Sequence, residues 1–176
     1  MDRVLVAYAT RFGSTEEVAQ RIGTVLSSES IQTDVRAVEE ITSLRDYDAI
    51  VIGSAIRVGR WVPEAVDFLR EYEAELRDLP VAYFTVCMTL NDNTPENHFT
   101  VQHYHDPLIK DFPDIHPLTI GMFAGRYDYN QLPLSLRLLG KVMRVPGGDF
   151  RNWDEIEAWA CDLAVLLKEQ GVVWTR

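Results

Sequence analysis

The 176-residue sequence predicts a doubly wound α/β domain built on five parallel strands. Apolar, β-rich runs alternate along the chain with longer amphipathic ones. Runs such as Ala49-Ile50-Val51-Ile52 are apolar on both faces, as strands inside a parallel sheet must be. The right-handed crossover rule then winds the intervening helices onto both faces.

The first strand is predicted at 3–9, where Val4-Leu5-Val6-Ala7-Tyr8-Ala9 is continuously apolar. It ends in hydroxyls and a glycine, from which an amphipathic helix over 14–27 begins. Further strands are predicted at 33–37, 49–53, 81–87 and 118–124, with helices at 63–75, 95–112 and 152–169, the last capped near Asn152. The whole of 1–176 is expected to be one domain, since no linker, repeat or low-complexity tract divides it. Two segments exceed a minimal doubly wound domain, one at about 91–117 and one at about 125–150. Long connections in a compact domain tend to be functional or mobile.

Composition narrows the function. A hydrophobic content of 47% and a charged content of 25% are ordinary for a globular protein. A formal net charge of −10 argues against general nucleic-acid binding, which needs clustered Lys and Arg. No run is long enough to span a bilayer, and Met-Asp-Arg leading straight into a strand does not read as a signal peptide. Cys87 and Cys161 form no C-x-x-C pair, so both thiols are expected to be free in a reducing cytoplasm. Cys87 is expected at a buried strand end and Cys161 in the core of the last helix, and Trp153, Trp159 and Trp174 are expected to pack that helix and the tail.

The stretch Thr10-Arg11-Phe12-Gly13-Ser14-Thr15 carries the most information. Gly13 permits φ > 0 or a close backbone approach. Three hydroxyls and the first N–H groups of the following helix converge there, with the positive end of the helix dipole behind them. Such a concavity binds phosphate. Hydroxyls on both sides of the glycine favour that reading over an ordinary N-cap. No lysine follows Gly13, which excludes a triphosphate loop. Arg11 and Glu16 stand where a dinucleotide fingerprint would need glycines.

What remains, T-x-x-G-S-T after the first strand, resembles the FMN-phosphate loop of the flavodoxins, and the resemblance runs over nearly the whole chain. It implies the strand order 2-1-3-4-5, with FMN bound outside the carboxyl ends at the switch point between strands 1 and 3. The phosphate would lie on Thr10, Arg11, Phe12, Gly13, Ser14 and Thr15. The loop after strand 3 (Ser54, Ala55, Ile56, Arg57, Gly59, Trp61) and the loop after strand 4 (Met88, Thr89, Leu90, Asn91) would hold the isoalloxazine. Ordinary loop filling is the competing reading for each of these residues.

Arg57 and Arg60 allow two readings. They could raise the flavin's potential, or they could be solvated cations offsetting an acidic protein. A charge ~6 Å away at an effective dielectric of ~20 is worth on the order of 3 kcal/mol, roughly 100 mV for one electron before screening. The segment from Leu132 to Val145 reads as a basic amphipathic helix with Arg137, Lys141 and Arg144 on one face. It could meet an anionic membrane surface or partner, or pack on the sheet.

Met122-Phe123-Ala124-Gly125, Met143-Arg144 before Gly147-Gly148, and Asp149-Phe150-Arg151-Asn152-Trp153-Asp154 sharpen the resemblance. Their order resembles the flavodoxin-type menaquinone-dependent protoporphyrinogen dehydrogenases of haem biosynthesis. That implies an FMN oxidoreductase taking hydrogen from a porphyrinogen and passing electrons to a quinone, cytoplasmic or peripheral on the inner face of the cell membrane. A flavodoxin-type electron carrier docking to redox proteins is the alternative. The segment after strand 4 departs from the pattern. Its His98, His103 and His105 could be read as metal ligands, but Pro95, Pro107 and Pro113 suggest a loop, and no metal is expected. Contact between one of these histidines and substrate is the better-supported functional reading.

Overall fold

The structure, a computed structural model, describes residues 3–127 and 147–171. Five parallel strands lie in the order β2-β1-β3-β5-β6. They are β1 (Arg3–Ala9), β2 (Gln32–Ala37), β3 (Ala49–Arg57), β5 (Val81–Cys87) and β6 (Pro117–Ala124). A two-residue strand, β4 (Arg60–Trp61), folds back antiparallel on the end of β3. Discounting it, the order is the expected 2-1-3-4-5. The central strands are buried along almost their whole length, whereas the edge strand β2 carries Asp34 and Arg36 and is only half-buried. Charge on an edge blunts its tendency to pair with another chain.

Helices α1 (Ser14–Ser28) and α6 (Trp153–Glu169) cover one face, and α2 (Pro63–Glu71), α3 (Glu73–Leu76) and α5 (Asp106–Asp111) cover the other. α4 (Pro95–His103) stands at the carboxyl end of the sheet, where Val101 packs on Cys87 and Leu90. Close packing demands glycine at position 53: a Cβ there would lie 1.9 Å from Phe84 Cζ.

Several expectations need correcting. The helix expected over 63–75 breaks at Tyr72, which is buried and donates its hydroxyl to the Ile41 carbonyl at 3.2 Å. The one expected over 95–112 breaks between Tyr104 and His105. The prolines do not make this segment a loop, because Pro95 and Pro107 each open a helix, where a missing N–H costs nothing. Cys161 is exposed: the buried stripe of α6 runs through Ile156, Ala160, Leu163, Ala164 and Leu167, and Cys161 falls off it. Cys87 is buried at a strand end as expected. Asn152 does cap α6, accepting from the Glu155 N–H. Trp153 and Trp159 pack against the core, while Trp174 and the segment from Leu132 to Val145 lie outside the described residues.

The chain leaves β6 through β7 (Arg126–Tyr127) and returns through β8 (Gly148–Asp149), and these two strands pair antiparallel. No helix among the described residues is long and apolar enough to cross a membrane.

Candidate cofactor site

A cavity of about 290 Å³ opens at the carboxyl ends of the strands. One wall is the loop between β1 and α1. Gly13 adopts φ +79° as the N-cap of α1, and no side chain caps the helix. The Gly13 N–H instead donates to Thr10 Oγ1 at 3.1 Å, which closes the loop on itself. The first-turn N–H groups of α1 are therefore left to an external acceptor. Thr15 is 1% exposed and still lines the cavity. The Ser14 hydroxyl accepts the Arg126 N–H at 3.1 Å, and Arg11 pairs with Glu64 of α2 at 2.9 Å. Behind the loop, burial first and Glu16 second push the Tyr8 phenol up to about 12.

The opposite wall is a hairpin. β3 runs past Gly53 to Arg57 and turns at Val58 and Gly59, with φ +52° and +70°. Two successive positive φ values make a type I′ turn, whose twist suits a two-residue hairpin. Val58 is β-branched and 94% exposed, so neither sequence preference nor burial favours its left-handed backbone. Ala55, Ile56 and Arg57 face the cavity.

Val86, Cys87 and Met88 at the end of β5 form the floor, and Gly125, Arg126 and Tyr127 close the far side. Burial pushes the Cys87 thiol up, so it presents an uncharged sulfur.

Of the sequence-predicted residues, Thr10, Arg11, Phe12, Ser14, Thr15, Ala55, Ile56, Arg57 and Met88 line the cavity, and Gly13 shapes the loop. The others stand elsewhere. Ser54 is fully buried, its hydroxyl donating to the Ala55 carbonyl and accepting the Val62 N–H. Trp61 turns into the core, where its indole meets the Tyr83 ring edge-on at 5.0 Å. Gly59 sits at the hairpin tip against Tyr104, and Arg60 is exposed outside the lining.

Thr89 contacts the Tyr104 hydroxyl at 3.4 Å, while Leu90 and Asn91 line a separate cavity of about 220 Å³. A short 3-10 turn over Met88–Asn91 directs these side chains away from the first cavity. The lining contributed by 125–127 was not anticipated. Its signal was the start of a connection at the carboxyl edge of the sheet.

The histidines divide. His105 is 1% exposed, with Nε2 2.9 Å from Thr85 Oγ1 and Nδ1 3.2 Å from the Gln102 carbonyl, so it is a core residue out of reach of a substrate. Burial holds its imidazole below the ordinary range. His98 pairs with Asn93, and His103 lies on Phe99. Among the described residues, no group of three His, Cys, Asp or Glu side chains is placed to hold a metal.

The donor set suits a monophosphate carrying a flat ring. Hydroxyls and amide N–H groups of the β1–α1 loop line the cavity together with aliphatic and sulfur surface and the arginines Arg11, Arg57 and Arg126. Residues 5–151 match the family described as "Flavodoxin domain". Two curated relatives are both named protoporphyrinogen IX dehydrogenase (quinone). The one from Leishmania major is 26% identical over 93% of this chain and 75% of its own. The one from Escherichia coli is 24% identical over 93% of this chain and 96% of its own. Among solved structures, an archaeal flavodoxin superposes with a TM-score of 0.58 at 15% identity, covering 94% of this chain and 99% of its own. The two-electron reduced flavodoxin of Megasphaera elsdenii gives 0.56 at 16% identity, covering 90% and 98%. With the phosphate-type loop, the switch-point cavity and a family match over most of its length, this chain belongs to the flavodoxin domain family.

Proposed function

We propose that the protein is an FMN-dependent oxidoreductase of the protoporphyrinogen dehydrogenase type, with a porphyrinogen as hydrogen donor and a quinone as acceptor. The observation that carries the flavin assignment is the uncapped N-terminus of α1 opening beside Thr10, Ser14 and Thr15. The substrate and acceptor rest on the names of the two curated relatives.

FMN, when bound, supplies the hydrogen and electron transfer, and the residues bind, orient and tune it. Thr10, Thr15 and the α1 N–H groups would hold its phosphate dianion. Ala55, Ile56 and Met88 offer apolar surface to a ring, and Cys87 adds a neutral sulfur. Arg57, which has no ion pair among the described residues, would stabilise negative charge as the ring is reduced. The basic segment from Leu132 to Val145 would meet the carboxylates of the substrate or an anionic bilayer surface, a weak anchor at about 1 kcal/mol per basic residue.

Replacing Thr10 and Thr15 together by Ala removes two hydroxyl donors to a charged group, each worth about 1.5–3 kcal/mol. FMN affinity, read by flavin fluorescence, should fall at least tenfold. Unchanged affinity would sink the phosphate assignment. The same protein, loaded with FMN, should oxidise porphyrinogen with a quinone present. The electron-carrier alternative draws on the net charge of −10 and on the flavodoxin neighbours, and it gains if a flavin-loaded protein turns over no porphyrinogen with any quinone.

A further inference from the structure

Glu17, in the first turn of α1, does not line the cavity, yet both its carboxylate oxygens are engaged. Oε1 accepts from Arg126 Nη2 at 2.8 Å, and Oε2 accepts from Arg151 Nη1 at 2.7 Å. Arg126 lines the cavity. The Arg151 side chain is 2% exposed and needs compensation for a buried charge. Most of that comes from Asp149, whose two oxygens take the Arg151 Nε and Nη2 at 2.7 and 2.6 Å. The guanidinium also lies 4.5 Å from the centre of the Trp153 ring. The alternating Asp149, Arg151 and Trp153 thus form a rigid stack just after the returning strand β8.

Arg126 and Asp149 are register partners in the β7–β8 ladder, and the Arg126 N–H is held by Ser14. A closed circuit results, from Ser14 to Arg126, across to Asp149, through Arg151 to Glu17, and back along α1. Asp149 already occupies the fork of Arg151, so the buried charge does not account for Glu17 Oε1, which takes Arg126 instead.

The geometry points to Glu17 as a positioning residue for the substrate side of the site, holding cavity-lining Arg126 and both ends of segment 128–146 to the phosphate-side helix. This rests on the oxidoreductase reading above. It adds that α1, through Glu17, sets where the cavity-lining guanidinium of Arg126 stands.

The test uses Glu17→Gln, Glu17→Asp, Arg126→Gln and the double variant Glu17→Gln/Arg126→Gln in the full chain. Hydrogen exchange in cofactor-free protein reads the clasp directly, at the Arg126 amide and at the Phe150 amide, which donates to the Gly125 carbonyl. Glu17→Gln should speed exchange at both about tenfold, with α6 still protected, and Glu17→Asp should recover most of the protection. In the FMN-loaded protein, Glu17→Gln should raise the KM for porphyrinogen about tenfold with kcat within about twofold. The double variant should be no worse than Arg126→Gln alone, because one residue acts through the other.

Unchanged exchange and unchanged KM in Glu17→Gln overturn the proposal, as do KM effects that multiply in the double variant. If Glu17→Gln does not fold, Glu17→Asp decides by the same two readings. If wild-type, FMN-loaded protein turns over no porphyrinogen, the oxidoreductase reading fails, and the exchange rates alone then decide for or against the clasp.

Discussion

The His105 imidazole meets the Gln102 carbonyl at Nδ1, and a carbonyl only accepts, so Nδ1 carries the proton. Nε2 is then the acceptor, and it takes the Thr85 hydroxyl proton at 2.9 Å. That frees Thr85 Oγ1 to accept from the Trp61 indole at 2.9 Å. A directed chain of hydrogen bonds therefore joins β4, β5 and the α4–α5 corner, and it exists only while His105 is neutral. Burial disfavours the charged imidazole, so the folded pKa lies below the 6.5 of the unfolded chain. The unfolded state thus binds the proton more readily, and stability rises with pH across this window. The contribution is complete above about pH 6.5 and is lost as pH falls through the lowered folded value. Urea unfolding of the wild type should show a positive stability slope as pH rises towards 6.5, and His105→Gln should flatten it whatever its absolute stability. Nothing local in the sequence set His105 apart from His98 and His103. Beyond the adjacent turn at Gln102, its partners lie 20 and 44 positions away, at Thr85 and Trp61. Thr10, Gly13 and Thr15 could be singled out because six consecutive residues hold the whole pattern, and they line or shape the cavity.

Elements buried on both faces were the easiest to read. β1 and β5 have the boundaries their apolar runs predicted, since every residue in such a run goes to the same environment. β3 was underestimated: it stays paired with β5 as far as Ala55 and then runs out into a hairpin, and Ser54 to Arg57 show no continuous apolar pattern. That hairpin separates the two arginines that sequence treated alike. Arg57 and Arg60 are register partners, but only Arg57 lines the cavity. Substituting Arg57 with Glu changes the charge by two units and should therefore lower the potential of bound flavin by roughly 200 mV before solvent screening, and Arg60→Glu should do less. A redox titration of the two variants checks this, and equal shifts would mean that long-range charge, not placement at the cavity, is the cause.

Across the whole molecule, an acidic chain concentrates arginine where its cavity is: Arg11, Arg57 and Arg126 all line it, within a net charge of −10. The fold was legible at this scale because alternating patterns and crossover handedness leave few topologies. The return of the chain to Ser14 through Arg126 was not, because a contact spanning 112 positions leaves no local pattern. The neck formed by β7 and β8 has its own consequence. Tyr127 and Gly148 face one another across an antiparallel pair, so a two-residue turn could join them directly. The described part of the domain should then stand with β7 and β8 joined directly. Replacing 128–147 by Asn-Gly should leave a folded protein with the yellow spectrum of bound FMN and no porphyrinogen turnover, and retained turnover would move substrate recognition elsewhere. On that view, one scaffold could pass between carrying electrons and oxidising a substrate by exchanging a single peptide at a single pair of joints.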